Sequence, residues 1–310
     1  MVTDPIWLDN GVLRLGFLPV LGGRLLSLRH EGVEVLWRNP RLLDDQLRPV
    51  GGHRFAPNSG ELGDWVNYGG DKTWPAPQGW SGAHEWPGPP DPVLDSGPYT
   101  ATTGPDRITL TSGDDPRTGL RLTRRFTLRG NGYRLDLTAA NTGGSPVRWA
   151  LWNVTQLPGG SVHIGLADRP EPRVIDLVPA AHRVEHDVLG DRAVVPRQHT
   201  VGKLGFPSSA GWVTHVGPRR LLTQRFTVDR AAEYPDGGSP LEVWLESPLP
   251  QPIAALGNLN PPDEIVECEV LGPLTTLAPG ARTTLTIEVT VTRPAGSTPS
   301  RPARPRTRPR

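Results

Sequence analysis

Between Leu120 and Ala139, apolar and polar residues alternate on both sides of a Gly130-Asn131-Gly132 turn. Leu120, Leu122, Phe126 and Leu128 fall on one side, and Arg121, Thr123, Arg125 and Thr127 on the other. After the turn, Tyr133, Leu135, Leu137 and Ala139 alternate with Arg134, Asp136 and Thr138. In an extended chain successive side chains point to opposite faces, so this pattern predicts a β-hairpin with one buried and one solvated face. Only Arg124 interrupts the apolar side.

The rest of the chain repeats the theme in shorter form. A second hairpin is predicted from 24–28 and 33–37 around His30-Glu31-Gly32, and strand-like runs occupy 12–18, 108–111, 147–155, 221–228, 241–245, 265–270 and 283–291. Glycine and proline, 36 each in 310 residues, punctuate these runs, and no stretch of a dozen residues has apolar spacing of three and four. Many short strands separated by turn residues predict an all-β chain folded as one large antiparallel sandwich. Residues 44–98 break the regular spacing. They are rich in Gly, Pro and Trp, and so long a connection in a compact domain is expected to be an ordered excursion over one face.

Charge and cysteine content narrow the class. The net charge of +1 includes six arginines in 293–310, where there is no acid; without them the body stands at −5. A mildly acidic body is a poor partner for nucleic acid. The Pro/Arg-rich segment 293–310 has almost nothing apolar to bury and is expected to be a disordered basic tail after a domain of residues 1–292. Cys268 is the only cysteine, which excludes an internal disulfide and a thiolate metal cluster. No apolar run approaches the ~18 residues of a membrane span, and Met1-Val2-Thr3-Asp4-Pro5 does not open a secretory signal, so the expected compartment is the cytoplasm.

Three segments carry chemistry. The first, Asn67 to Trp80, holds Asp71, Lys72, Trp74, Gln78 and Trp80, and with Trp65 and Trp86 it concentrates four tryptophans in 22 residues. A sugar has apolar C–H faces and hydroxyl edges, so flat aromatic surfaces beside charged and amide groups suit it. The same rings would also serve to plug the end of a sandwich. Gly51-Gly52-His53-Arg54 repeats the paired-glycine-and-cation pattern, which makes Arg54 a further candidate. The second segment is Trp149 to Gln156, in which Trp152 and Gln156 share one strand face and Asn153 and Thr155 the other. The third is Glu264 to Pro273. Val266, Cys268 and Val270 form an apolar face, while Glu267 and Glu269 lie roughly 6.6–6.8 Å apart on the opposite one. Facing water these are solubilising charges; lining a groove, one of them becomes a candidate base. His182 and His186 stand four apart without helical context, so no metal site is expected.

At these segments the chain resembles the galactose-mutarotase-like superfamily, and within it a bacterial branch with a Gly-Gly-Asp-Lys-x-Trp-x-Ala-Pro-Gln loop, here Gly69 to Gln78. Trp86-Pro87, Thr118-Gly119-Leu120, Trp152 to Gln156 and Leu271-Gly272-Pro273 also resemble that branch, over about residues 5–292. The resemblance implies a β-supersandwich with a concave carbohydrate-binding face and no cofactor. In aldose 1-epimerases a late-strand glutamate takes the anomeric proton, and Glu267 or Glu269 matches it. A histidine supplies the ring-oxygen proton there. Here the corresponding stretches read Asn67-Tyr68-Gly69-Gly70 and Trp152-Asn153-Val154, whose amides cannot release a proton at neutral pH. Lys72, Tyr68 and His53 are the substitutes on offer. The expected function is therefore binding of a small carbohydrate, with no nucleic acid as partner of the folded domain and no membrane. The alternative is an epimerase-type or related sugar-modifying enzyme using Glu267 or Glu269 as base and Lys72 as its cationic partner.

Overall fold

The computed structural model describes residues 4–61, 64–79, 81–167, 171–177, 183–254 and 259–295. In chain order the strands are β1 (Ile6–Asp9), β2 (Leu13–Leu18), β3 (Arg24–His30), β4 (Val33–Glu34), β5 (Asp71–Ala76), β6 (Thr100–Thr103) and β7 (Arg107–Thr111). There follow β8 (Leu120–Arg129), β9 (Gly132–Asn141), β10 (Val147–Pro158), β11 (Ser161–Leu166), β12 (Ile175–Asp176), β13 (Asp187–Leu189) and β14 (Arg192–Val195). The last are β15 (Gly202–Gly205), β16 (Ser209–Val216), β17 (Leu221–Phe226), β18 (Leu241–Glu246), β19 (Ile265–Leu271), β20 (Thr275–Leu277) and β21 (Arg282–Thr292). One turn, Pro235–Gly238, is the only α-helical element among the described residues.

The strands form two antiparallel sheets, as the alternation predicts. An eleven-stranded sheet runs β1-β2-β3-β5-β10-β19-β18-β15-β12, with β4 beside β3 and β20 beside β10; a ten-stranded sheet runs β13-β14-β11-β16-β17-β21-β9-β8-β7-β6. The strongest predicted hairpin is β8–β9, paired from Leu120↔Asn141 to Arg129↔Gly132. Burial alternates without exception along β8. Gly130 sits at φ +56° in the connecting turn, a conformation that glycine adopts without strain. The second hairpin is shorter than predicted: β4 pairs with β3 over Val33–Glu34 only, and the chain then leaves the sheet.

One large apolar core fills the space between the sheets, drawing on both, for instance Leu122, Phe126 and Leu135 from one and Val243, Cys268 and Val270 from the other. The middle of the first sheet is covered on its outer side as well. Every residue of β5 and β19 is buried, although a sheet with one solvated face would alternate. Part of the cover is the 44–98 excursion. Leu43, Leu47 and Tyr68 pack with Leu18, Leu21 and Leu26 in a second, smaller core. Trp86 is fully buried, with its ring 5.3 Å from that of Trp74. Backbone bonds from Trp37 N to Gln156 O and from Gly70 N to Trp37 O, both 2.9 Å, fasten the chain before β5 to the flank of β10. No helix of the described residues is long and apolar enough to cross a membrane.

Candidate functional site

Register places the site. Across β5, β10 and β19, Trp74 stands opposite Trp152, Lys72 opposite Val154, Val154 opposite Glu269 and Gln156 opposite Glu267. On the next strands Glu242 stands opposite Glu269, Trp244 opposite Glu267 and Lys203 opposite Trp244. Paired positions share a face, so Lys72, Trp74, Trp152, Gln156, Lys203, Glu242, Trp244, Glu246, Glu267 and Glu269 all project from the outer face of five adjacent strands.

On that face the two lysines divide the carboxylates. Lys72 Nζ is 3.3 Å from Glu267 Oε1, which also accepts from Gln156 Nε2 at 2.5 Å. Lys203 Nζ is 2.6 Å from Glu242 Oε2 and 3.0 Å from Glu269 Oε2, and Trp152 Nε1 donates to the same Glu269 oxygen at 2.6 Å. Each ammonium also lies over an indole, Lys72 over Trp74 at 4.9 Å and Lys203 over Trp152 at 4.7 Å, where the ring face attracts a cation. Glu246 belongs to neither group. Its Oε1 accepts from Trp244 Nε1 at 3.0 Å, and its Oε2 is buried without a hydrogen-bond partner among the described residues. Gln156 Oε1 and Glu242 Oε1 are likewise buried and unpartnered.

Burial sets the protonation states. Loss of hydration pushes the Glu246 carboxyl up to about 7, helped by the negative charge of Glu267 and opposed by the indole bond and by Lys72. Burial likewise raises Glu269 and Glu242 against the pull of Lys203. The Lys72 ammonium is lowered by burial, and Glu267 opposes that shift. For Lys203 burial also works against the charge, but Glu242 and Glu269 together outweigh it and hold the ammonium above its ordinary range. Glu267 is the most exposed of the four carboxylates, at 7%. Both of its hydrogen bonds fall on Oε1, leaving Oε2 without one among the described residues. The arrangement can therefore present a carboxylate oxygen, unpartnered acceptors and a partly exposed indole, Trp244, to one small polar ligand.

Six of the residues picked from sequence meet here: Lys72, Trp74, Trp152, Gln156, Glu267 and Glu269. Others are placed elsewhere. Asp71, expected to meet ligand, points the opposite way because it neighbours Lys72 on an extended strand. It pairs inside the sandwich with Arg124 and accepts from Asn153 Nδ2 at 2.9 Å and Thr155 Oγ1 at 2.6 Å. Gln78 is turned to the Gly88 carbonyl and braces the loop. Arg54 is exposed and makes no hydrogen bond or ion pair to the described residues. Trp80 lies outside the described residues. Trp74 is 3% exposed, with its Nε1 bonded to Asp95 at 3.0 Å, so it supports Lys72 from below and offers no open stacking surface. His53 and Tyr68, considered as acids, bond to each other at 2.7 Å.

Sequence reading missed Lys203, Glu242, Trp244 and Glu246. The signal was present: Glu242, Trp244 and Glu246 alternate with Leu241, Val243 and Leu245 just as Glu267 and Glu269 alternate with Val266, Cys268 and Val270. Among the described residues no cluster of His, Cys, Asp and Glu is arranged to hold a metal ion.

The paired sheets and the polar outer face define a β-sandwich of the galactose-mutarotase-like kind, and solved structures bear this out. A galactose mutarotase-like protein of Clostridium acetobutylicum superposes with a TM-score of 0.55 at 8% identity, over 93% of this chain and 95% of that one. A galactose mutarotase related enzyme of Lactobacillus acidophilus gives 0.51 at 11% identity, over 93% and 97%. A protein of Escherichia coli K12 provisionally assigned as an aldose 1-epimerase gives 0.55 at 14% identity, over 94% and 99%. Within that fold the chain belongs to the family described as Domain of unknown function (DUF4380), which matches residues 3–291. No curated protein matches it significantly.

Proposed function

We propose that this protein binds a small neutral carbohydrate on the outer face of its first sheet, against Trp244 and above Gln156, Glu246 and Glu267. The observation that carries the reading is the pair of buried acceptors without donors among the described residues, Gln156 Oε1 and Glu242 Oε1, beside the unbonded Oε2 of Glu267. A buried acceptor left unpaired costs about 1–3 kcal/mol. A ligand rich in hydroxyls supplies donors to several at once and lays a C–H face on the indole. Four carboxylates against two lysines disfavour a phosphorylated or acidic sugar. The names borne by the fold relatives point to the same ligand class.

A second reading, an aldose 1-epimerase-type enzyme, is favoured by Glu267 over Glu269 as base. Glu267 has one oxygen held by Lys72 and Gln156 and the other unbonded among the described residues, whereas Glu269 is engaged by Lys203 and Trp152.

The test is saturation-transfer NMR and calorimetry against D-galactose, D-glucose and a panel of other neutral aldoses, with galactose 6-phosphate as the charged control. Saturable binding of a neutral sugar, weakened by Trp244→Ala and weaker still for the phosphate, is expected. A protein that binds no member of the panel, or that prefers the phosphate, overturns the reading.

A further inference from the structure

We propose that Glu246 is the proton donor of this site, delivering the proton on its Oε2 to an oxygen of the bound sugar while Glu267 accepts one from a neighbouring hydroxyl. The inference rests on the carbohydrate reading above and adds a catalytic residue to it.

The argument begins with the lysines. Glu267 is paired with Lys72, and Glu242 and Glu269 share Lys203; Glu246 alone of the four carboxylates has no ion pair among the described residues. It is 4% exposed. A buried carboxyl without a cation, close to a second carboxylate, keeps its proton, because ionising it would add charge where neither water nor a counter-ion stabilises it. The indole N–H of Trp244 occupies Oε1, which leaves the acid proton to Oε2, and Oε2 has no acceptor among the described residues. An O–H donor with nothing to donate to is what a sugar oxygen would meet.

Position agrees with this role. Glu246 stands opposite Ile265, two residues from Glu267, and Trp244 stands opposite Glu267 itself. Both carboxyl groups therefore flank one indole on one face. The charged groups around Glu246 are Glu267 and Glu269 on β19, Lys72 on β5, Lys203 on β15 and Glu242 on its own strand. Of these, Glu267 and Lys72 act on it directly, in opposite senses. The carboxyl titrates near neutrality, at about 7, where a group serves best as a general acid. Lys72, the other possible donor, is already committed to Glu267 and to the Trp74 ring.

The step balances without a co-reactant. Glu267 takes the proton of the anomeric hydroxyl, the bond from the anomeric carbon to the ring oxygen breaks, and the carbonyl forms as Glu246 protonates the departing ring oxygen. Rotation about the first carbon–carbon bond and reclosure on the other face return both protons, and nothing is oxidised or reduced.

Exchange between the anomers of the best-bound aldose, followed by NMR or polarimetry from pH 5 to 9, tests the assignment. Wild type is expected to exceed buffer. Its rate per bound sugar should fall roughly tenfold per pH unit above about 7, as Glu246 loses its proton. Glu246→Gln should lower that rate by ~10²–10⁴ while leaving affinity within a few-fold. Glu246→Asp should retain part of the rate, and it stands in if the glutamine variant fails to fold. A rate that keeps rising above pH 8, or that survives in Glu246→Gln, assigns the proton to another group and overturns the proposal. Binding without any exchange above buffer overturns the proposal and leaves the carbohydrate reading intact. Absence of binding removes both.

Discussion

Arg124 of the second sheet donates to Asp71 of the first across the interior of the sandwich, and neither side chain touches solvent. The guanidinium also bonds Gly23 O at 2.8 Å and Asp71 O at 3.1 Å. Thr155 Oγ1, which donates to Asp71, accepts from Gln224 Nε2 at 2.8 Å. Two sheets that otherwise meet through apolar side chains are joined at this point by a buried polar network, in which Arg124 Nε and Gln224 Oε1 find no partner among the described residues. Removing one partner strands the other charge, so Arg124→Met and Asp71→Asn are each expected to cost about 3–5 kcal/mol in urea denaturation. The double variant should cost clearly less than the two singles combined.

Trp244 and Trp74 should separate binding from stability. Trp244→Ala removes a partly exposed ring and is expected to weaken sugar affinity about tenfold, or ~1.4 kcal/mol, with little change in denaturation midpoint. Trp74→Ala empties a fully packed position between Trp86 and Trp152 and should lower stability by ~3–5 kcal/mol. Calorimetric titration alongside chemical denaturation of both variants reads the difference.

Stability should depend on pH through Glu246. Its folded-state carboxyl is raised from 4.5 to about 7, so between those values the folded chain binds a proton that the unfolded chain has lost. That contribution is fully present below pH 4.5 and is lost as pH rises through 7. Glu246→Gln should flatten this fall. His215 works in the opposite sense: burial lowers it from 6.5 to about 4, so its contribution is lost as pH falls from 6.5 towards 4. The fall above pH 6.5 is thus the window in which Glu246 shows alone of the two, and denaturation midpoints of wild type and variant at pH 6.5, 7.5 and 8.5 check it.

Lys203 neutralises two carboxylates at once. Lys203→Met should destabilise the protein by about 3–5 kcal/mol at pH 8, because Glu242 and Glu269 would then be buried ionised or forced to take up protons. Lowering the pH to 5 should restore much of the loss, measured by the same denaturation curves.

Period-two patterning was enough to read the architecture from sequence, because a hairpin such as β8–β9 declares its buried face residue by residue. It located Gln156, Glu267 and Glu269 on their correct faces for the same reason. It failed for Asp71, whose neighbour Lys72 looked equally suited to a ligand. In an extended strand two adjacent polar residues cannot serve one site, and the lone Arg124 on an apolar face was the clue to where Asp71 belonged. It also failed for Trp74, since a tryptophan in a loop-like stretch of Gly and Pro gives no sign that other rings will bury it. The role of β18 went unread because Glu-Val-Trp-Leu-Glu carries no motif; only its pairing beside β19 makes those three side chains neighbours of Glu267.

The alternation that sends Lys72 outward and Asp71 inward holds for the neighbouring strands β10, β18 and β19 as well. Residues of the candidate site and residues that hold the two sheets together are interleaved along the same backbone, one pointing each way. Outward positions are therefore open to exchange: relatives of this fold can acquire new specificities by substituting alternate side chains of β10, β18 and β19 while the interior stays as it is. Insertion or loss of a single residue within one of those strands has the opposite effect. It would carry Cys268 or Val243 onto the outer face and drive carboxylates into the apolar interior, so variation among relatives should come as replacements here and as length changes only in the loops.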